Sequence, residues 1–363
     1  MRTDGDPHPV TRGPSSVPEG GTGAGGDADG VAQDRALALA ASVRGRTSPN
    51  PWVGCVILAG ATRFEGATEP PGGPHAEAVA LAAAGASARG ATLVTTLEPC
   101  AHQGRTPPCA RAIAEAGVAR VVVAVRDPDP QVAGRGMALL RERGVEVVEG
   151  VRAAEATELL APYLTHRRTG RPWVVLKLAA TLDGRIAAPD GSSQWITGDE
   201  ARADAMALRA RSDAVLVGAG TVRADDPQLT VRGQAPPPGG QPLRVVLGQV
   251  PDGARVLPAL ERTGDPAAVL DELGGKGVLQ VLVEGGAQVA RQFHEAGLVD
   301  RYVLYLAPAL FGGDDGRPLF AGPGVPSMAE LWRGRIVSVA RLGPDLRVEL
   351  APRRRSNGAG GEG

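Results

Sequence analysis

Long apolar runs are missing from this chain. No stretch approaches the roughly 20 residues needed to span a bilayer. The N-terminus also lacks the charged-then-apolar build of a secretion signal, so a soluble, cytoplasmic protein is expected. Cysteine is scarce: three in 363 residues make no disulfide framework and suit a reducing compartment. Aromatic residues amount to 3%, which leaves few platforms for stacking bases. A net charge of −1 gives no basic footprint, so neither nucleic acid nor membrane is expected as a partner. Also absent is a G-x-G-x-x-G after a strand, the usual dinucleotide fingerprint. The GAG at 218–220 is too short to stand in for it.

What is present suffices for two cores, since 43% of the residues are hydrophobic. Residues 1–30 and 353–363 are Gly-, Pro-, Ser- and Arg-rich with little to bury, and both read as disordered tails. His8 falls in the first of these and reads as a solvated residue. Between the tails the texture alternates. VAQDRALALAASV, HAEAVALAAAG and CARAIAEAG have helical spacing, whereas WVGCVIL, ATLVTTLEP, VARVVVAVRDP and GVEVVEG have strand length. A basic, Gly/Pro-marked turn near residue 170 reads as a linker after a helix. A second series follows, with strands in WVVLKLAATLDGRIA, AVLVGAGTV, RVVLG, LQVLVEGG and RYVLYLAP and helices between them. Such alternation predicts α/β layers with mostly parallel sheets, as two unrelated domains over 31–170 and 171–352.

One cluster in the first half carries chemistry. His75 opens a predicted helix with Glu77 two residues on, and LEPCAHQGRTPPC places Cys100 and Cys109 at later turn or helix starts. One imidazole and two thiolates can hold Zn²⁺ with a position open for water, and Glu77 beside them can carry that water's proton. Helix N-termini favour the thiolate form of both cysteines. Cys55, mid-strand in VGCVI, reads as core packing. Deaminases of this type usually carry P-C-x-x-C, whereas eight residues separate the two cysteines here.

SPNPWVGCVI, PHAEAVAL, TTLEPCAHQGRTPPCARAI and RDPDPQVAGRG, in this order, resemble the deaminase half of the bifunctional riboflavin-biosynthesis deaminase–reductases. The resemblance implies a cytidine-deaminase-like three-layer domain. It also implies zinc on His75, Cys100 and Cys109, Glu77 as proton shuttle, and Asn50, His102 and Arg105 against a phosphorylated pyrimidine. Arg105 offers the cationic fork that a 5′-phosphate needs. One departure is visible: the family's G-x-G-x-H before H-A-E is FEGATEPPGG here, and Thr68 is the nearest counterpart of the missing histidine.

KLAATLDGRIA, SSQWITG, ARADAMALRA, LVGAGTVRADDPQLTVR, VLVEGG and LVDRYVLYLAPALFGG resemble the reductase half of the same family. That implies a dihydrofolate-reductase-like domain using NADPH. By resemblance Lys177, Ala179, Trp195, Thr221 and Asp225 lie on the cofactor side, with Gly286, Ala287, Gln288, Val289, Ala290, Arg291 and Gln292. Ser193, Arg209, Leu229, Arg232 and Glu284 lie on the substrate side, Arg209 and Arg232 as a phosphate clamp. Asp183, followed by Gly, reads as a turn residue. After RVV the family's small polar residue is replaced by LGQV, with Gly248 and Gln249, and the segment before VLVEGG is short. The expectation is therefore a reductase half lacking one strand on its cofactor side. The alternative reading is a deaminase whose second half is kept for structure or oligomerisation. By the same resemblance the protein is expected to be a homodimer or homotetramer.

Overall fold

The structure, a computed structural model, describes residues 24–101, 108–233 and 237–353. The first half runs α1 (Ala24–Ser42), β1 (Gly54–Ala59), β2 (Thr62–Ala67), α2 (Ala76–Ala84), β3 (Thr92–Leu97) and α3 (Cys109–Glu115). It continues through β4 (Arg120–Val125), α4 (Arg135–Glu142), β5 (Glu146–Glu149), α5 (Ala153–Leu159) and α6 (Ala161–Thr169). Its five strands lie in the order β2-β1-β3-β4-β5. Alternation along β1 explains the three layers. Cys55 and Ile57 face a core shared with α2, α3 and α4, while Val56 faces α1 through Ala32 and Ala36. The sheet is mixed and not mostly parallel: β1 pairs antiparallel with both neighbours, and only β3-β4 and β4-β5 are parallel. The short Gly60–Ala61 connection forces the first pairing to be antiparallel, because a parallel partner needs a long crossover.

The second half contains β6 (Trp173–Thr181), β7 (Arg185–Ala187), α7 (Asp199–Ala210), β8 (Ala214–Gly218), α8 (Ala219–Asp225), β9 (Leu243–Leu247) and β10 (Leu260–Arg262). It ends with α9 (Pro266–Gly275), β11 (Gln280–Val283), α10 (Ala287–Glu295), β12 (Arg301–Ala307), β13 (Arg317–Pro318), β14 (Gly334–Leu342) and β15 (Asp345–Pro352). Eight strands follow the order β10-β9-β8-β11-β6-β12-β15-β14. All pairings from β10 to β12 are parallel, and the closing hairpin is antiparallel. Val174, Leu176, Val281 and Val283 pack against α9 and α10, and their alternates Val175 and Leu282 pack against α7.

Two further expectations change. The helix of the first half opens at Ala24, inside the segment read as a disordered tail to residue 30, and Asp29 is buried against the Arg120 guanidinium at 2.7 Å. Burying that ion pair ties the helix start to β4. The strand read through AVLVGAGTV stops at Gly218, where the chain turns into α8. The turn read as a linker near residue 170 joins α6 to β6. α6 ends at Thr169 and β6 begins at Trp173, and the halves dock through Arg44 to Gln280 (2.9 Å), His166 to the Gly274 carbonyl (3.0 Å) and Arg301 to Glu158 (2.5 Å). Leu279 of the second half is buried in the core of the first.

Candidate active sites

The first site is built by the starts of two helices. α2 lies close on β2 because Gly66 leaves room: a Cβ there would meet the Ala76 carbonyl oxygen at 2.2 Å. That contact fixes His75 at the N-cap of α2 and Glu77 in its first turn. Cys109 is the first residue of α3, and its N–H donates to Cys100 Sγ at 3.3 Å. His75 Nδ1 lies 3.7 Å from Cys100 Sγ and 3.4 Å from Cys109 Sγ. Nitrogen and sulfur ligands of one tetrahedral zinc are separated by roughly 3.6 Å, so the donor set fits the ion. Among the described residues this is the one such group of His, Cys and acidic side chains.

The electrostatics agree. Glu77 is buried, and burial followed by the Cys100 charge pushes its carboxyl up to about 7. His75 is drawn upward chiefly by its hydrogen bond with Cys100. The Cys109 thiol donates to Cys100 and so pulls Cys100 down toward thiolate while holding its own proton tightly. Such an electron-rich donor set is one that a dication suits. Cys55 is fully buried with its thiol pushed up by burial, as core packing requires.

Of the expected substrate contacts, Asn50 is half-buried in the turn before β1, its N–H held by the Thr47 carbonyl at 2.8 Å. His102 and Arg105 lie outside the described residues. Thr68 does not replace the missing histidine. It is buried, and its hydroxyl is committed to the backbone of Val53, 3.1 Å from the N–H and 3.4 Å from the carbonyl.

Two cavities open among the described residues of the second half. One, of about 420 Å³, opens at the strand ends of β8, β9 and β10 and is lined among others by Ala219, Arg223, Gly248, Thr263, Gln288 and Gln292. The short segment does form a strand: Leu260–Arg262 pairs with Val245–Leu247 as an edge strand. Three residues with weak apolar character gave no strand signal in the sequence; pairing to an existing edge supplies it. Gly248 is required here, with φ +115° and a hypothetical Cβ 2.8 Å from Ala219 Cβ. Thr221 Oγ1 approaches the Gly286 turn, 3.8 Å from where a Gly286 Cβ would stand. Within the 286–292 segment Gln288, Val289 and Gln292 line the cavity. The side chains of Ala290 and Arg291 do not: Ala290 is core, and Arg291 pairs with Glu295 at 2.7 Å. Helical periodicity turns those two positions away.

The other cavity, about 320 Å³, is lined by Ser193 and Trp195 together with Thr181, Ile196, Leu310 and Phe311. Trp195 is exposed, with the Arg202 guanidinium 4.7 Å from its ring. Lys177 and Ala179 are half-buried on β6, Lys177 standing 5.8 Å from the Tyr305 ring. Asp225 is exposed at the end of α8. Asp183 behaves as a turn residue, accepting from Thr181 and from the Gly312 N–H at 2.9 Å. The two arginines expected to clamp the phosphate stand in different settings. Arg209 is buried, donating to Glu284 at 2.6 Å and to the Thr230 carbonyl at 2.8 Å, while Arg232 is exposed. Leu229 is buried beside it at φ +53°. Arg209 and Glu284 thus act as a strut beneath the Leu229–Arg232 segment. Among residues that sequence reasoning missed, Arg223, Thr263 and Gly264 line the larger cavity; only the fold brings them there.

Fold and site together define a two-domain enzyme, a zinc-type nucleobase deaminase joined to a nucleotide-cofactor reductase. The cytidine and deoxycytidylate deaminase zinc-binding region matches residues 32–125, and the RibD C-terminal domain matches residues 172–348. The riboflavin biosynthesis protein RibD of Escherichia coli (strain K12) is 41% identical, over 87% of this chain and 97% of its own length. That of Mycobacterium tuberculosis is 45% identical, over 88% and 97%. Among solved structures, RibD of Acinetobacter baumannii has a TM-score of 0.85 at 38% identity, covering 91% of this chain and 100% of its own. The Thermotoga maritima deaminase/reductase has 0.81 at 35%, covering 90% and 99%. This chain belongs to the RibD family, the bifunctional deaminase–reductases of riboflavin biosynthesis. No helix among the described residues is long and apolar enough to cross a membrane.

Proposed function

We propose that the chain removes the 2-amino group of 2,5-diamino-6-ribosylamino-4(3H)-pyrimidinone 5′-phosphate, then reduces the ribosyl group of the product to ribityl with NADPH. The convergence of His75, Cys100 and Cys109 beside buried Glu77 carries this reading. Those three residues would hold Zn²⁺, which when bound supplies the Lewis acidity that makes water nucleophilic near neutral pH. Glu77 accepts a proton from the attacking water and passes it to the departing nitrogen, so that oxygen replaces the amine at C2 and ammonia leaves. Its burial, which raises its affinity for a proton, suits that shuttle. Asn50, His102 and Arg105 contact the pyrimidine and its phosphate.

In the second half Thr221, the Gly286 turn, Gln288, Val289 and Gln292 face the nicotinamide cofactor, which supplies the hydride. Ser193, Leu229 and Arg232 face the sugar phosphate, with Arg232 as an exposed cation. Holding C1′ against the hydride donor is the main task of these groups. The 420 Å³ cavity and its edge strand support a working reductase over one retained only for structure. Working boundaries are 24–170 and 171–352. The exposed apolar side chains Ile336, Val339 and Leu346 on the β14–β15 hairpin support a homo-oligomer. Sedimentation equilibrium tests that, a monomer at micromolar concentration refuting it. Three free cysteines support a cytoplasmic location. Following ammonia release and NADPH oxidation separately on the same substrate tests the central reading. Deamination with no NADPH loss from a folded chain would overturn the reductase assignment.

A further inference from the structure

Glu98 is 3% exposed, lies two residues before Cys100, and has no cationic partner among the described residues. Its carboxylate is instead wrapped by backbone. One oxygen accepts the N–H groups of Asp127 (3.3 Å) and Gly134 (2.9 Å), the other those of Gly136 (3.0 Å) and Met137 (3.4 Å). The last two N–H groups belong to the first turn of α4, where donors lack helical partners and an anion is favoured. The same segment presses on the next residue: a Cβ at Gly136 would stand 1.9 Å from the Pro99 carbonyl oxygen. From the other side, the Ala110 N–H holds the Cys100 carbonyl at 3.1 Å and the Cys109 N–H holds its sulfur. Cys100 is therefore gripped between two helix starts.

We propose that Glu98 is a positioning residue of the deaminase metal centre: gripped by the 127–137 segment, it fixes the Pro99–Cys100 turn so that the Cys100 sulfur stays in register with Cys109 and His75. This rests on the metal reading above. It gives the DPDPQVAGRG stretch a task, since that stretch supplies neither a ligand nor a proton carrier. A carboxylate suits the place because each buried N–H needs an acceptor. In Glu98→Gln an NH₂ replaces one acceptor oxygen and faces two donors, which forces the turn or the segment to move.

The test uses the full chain freed of metal and titrated with Co²⁺, reading thiolate-to-cobalt and d–d absorption, with Zn²⁺ affinity from competition against a chromophoric chelator. NADPH oxidation with pre-deaminated substrate reports on the second half. The unaltered chain gives a tetrahedral thiolate spectrum. Glu98→Gln binds Zn²⁺ about 10–100-fold more weakly with shifted cobalt bands, Glu98→Asp recovers part of the loss, and NADPH oxidation is unchanged. Gly136→Ala, which keeps the carboxylate but pushes on Pro99, weakens Zn²⁺ in the same direction. A Glu98→Gln chain that melts earlier yet keeps normal zinc affinity and cobalt bands has lost only stability, and that result overturns the proposal. Should Glu98→Gln not fold, normal metal binding by Gly136→Ala overturns it equally. If the unaltered chain itself gives no thiolate–cobalt absorption, the metal reading fails instead.

Discussion

The two halves of this protein build their sites in different ways. In the deaminase half the chemistry is concentrated: an imidazole nitrogen sits within 3.7 Å of two sulfurs, and a buried carboxyl is two residues away. In the reductase half the expected residues spread over two cavities and a buried strut, and much of the larger cavity is strand ends and glycine turns. A metal demands particular side chains at one point, so its motif survives as a readable string. A dinucleotide is held largely by shape and backbone, so LGQV replaces the usual residues without destroying the cleft.

The sharpest break of that comparison is Glu77→Gln. Deamination falls by on the order of 10³-fold or more, as loss of a general acid–base allows, while NADPH oxidation with pre-deaminated product persists. Loss of both activities in a folded chain would contradict two separate sites. Next in size is Arg209→Ala, which leaves Glu284 buried and unpaired. About 3–5 kcal/mol of reductase-domain stability is lost, readable as a lower denaturant midpoint for that half. Little change there would show that the strut is dispensable.

Arg232→Ala removes an exposed cation and spares the fold. The expected loss is roughly 10–100-fold in kcat/KM for reduction, through a raised KM, with deamination untouched. A kcat defect at unaltered KM would move Arg232 from phosphate binding to another task. The smallest expected effect comes from Gly248→Ala, at φ +115° and crowded by Ala219. It costs about 1–3 kcal/mol of stability and raises the KM for NADPH several-fold. An unaltered KM would place the cofactor away from that turn.

Much of the first site was legible in sequence. H-A-E and the two cysteines each announce a ligand type, and zinc accepts little else. The eight-residue spacing of Cys100 and Cys109 was no obstacle, because α3 starts where it returns the second sulfur to the first. The departure at Thr68 was visible in the string, but not that its hydroxyl is already spent on the backbone of Val53. In the second half, Arg209 and Arg232, from two separate motifs, were paired as one phosphate clamp. Burial separates them, since only Arg209 reaches Glu284.

The sequence by itself determined the alternating α/β pattern and a set of candidate metal donors, because periodicity and ligand chemistry are local properties, and its ordered motifs carried the family resemblance. Tertiary structure alone decided which strand edges could recruit β10, that α1 reaches back to Ala24 through Asp29 and Arg120, and that Arg209 is a strut. It also placed Glu98 inside the coils of the 127–137 segment. Each of these depends on groups distant along the chain competing for the same hydrogen bonds, and a string of residues does not say which partner wins.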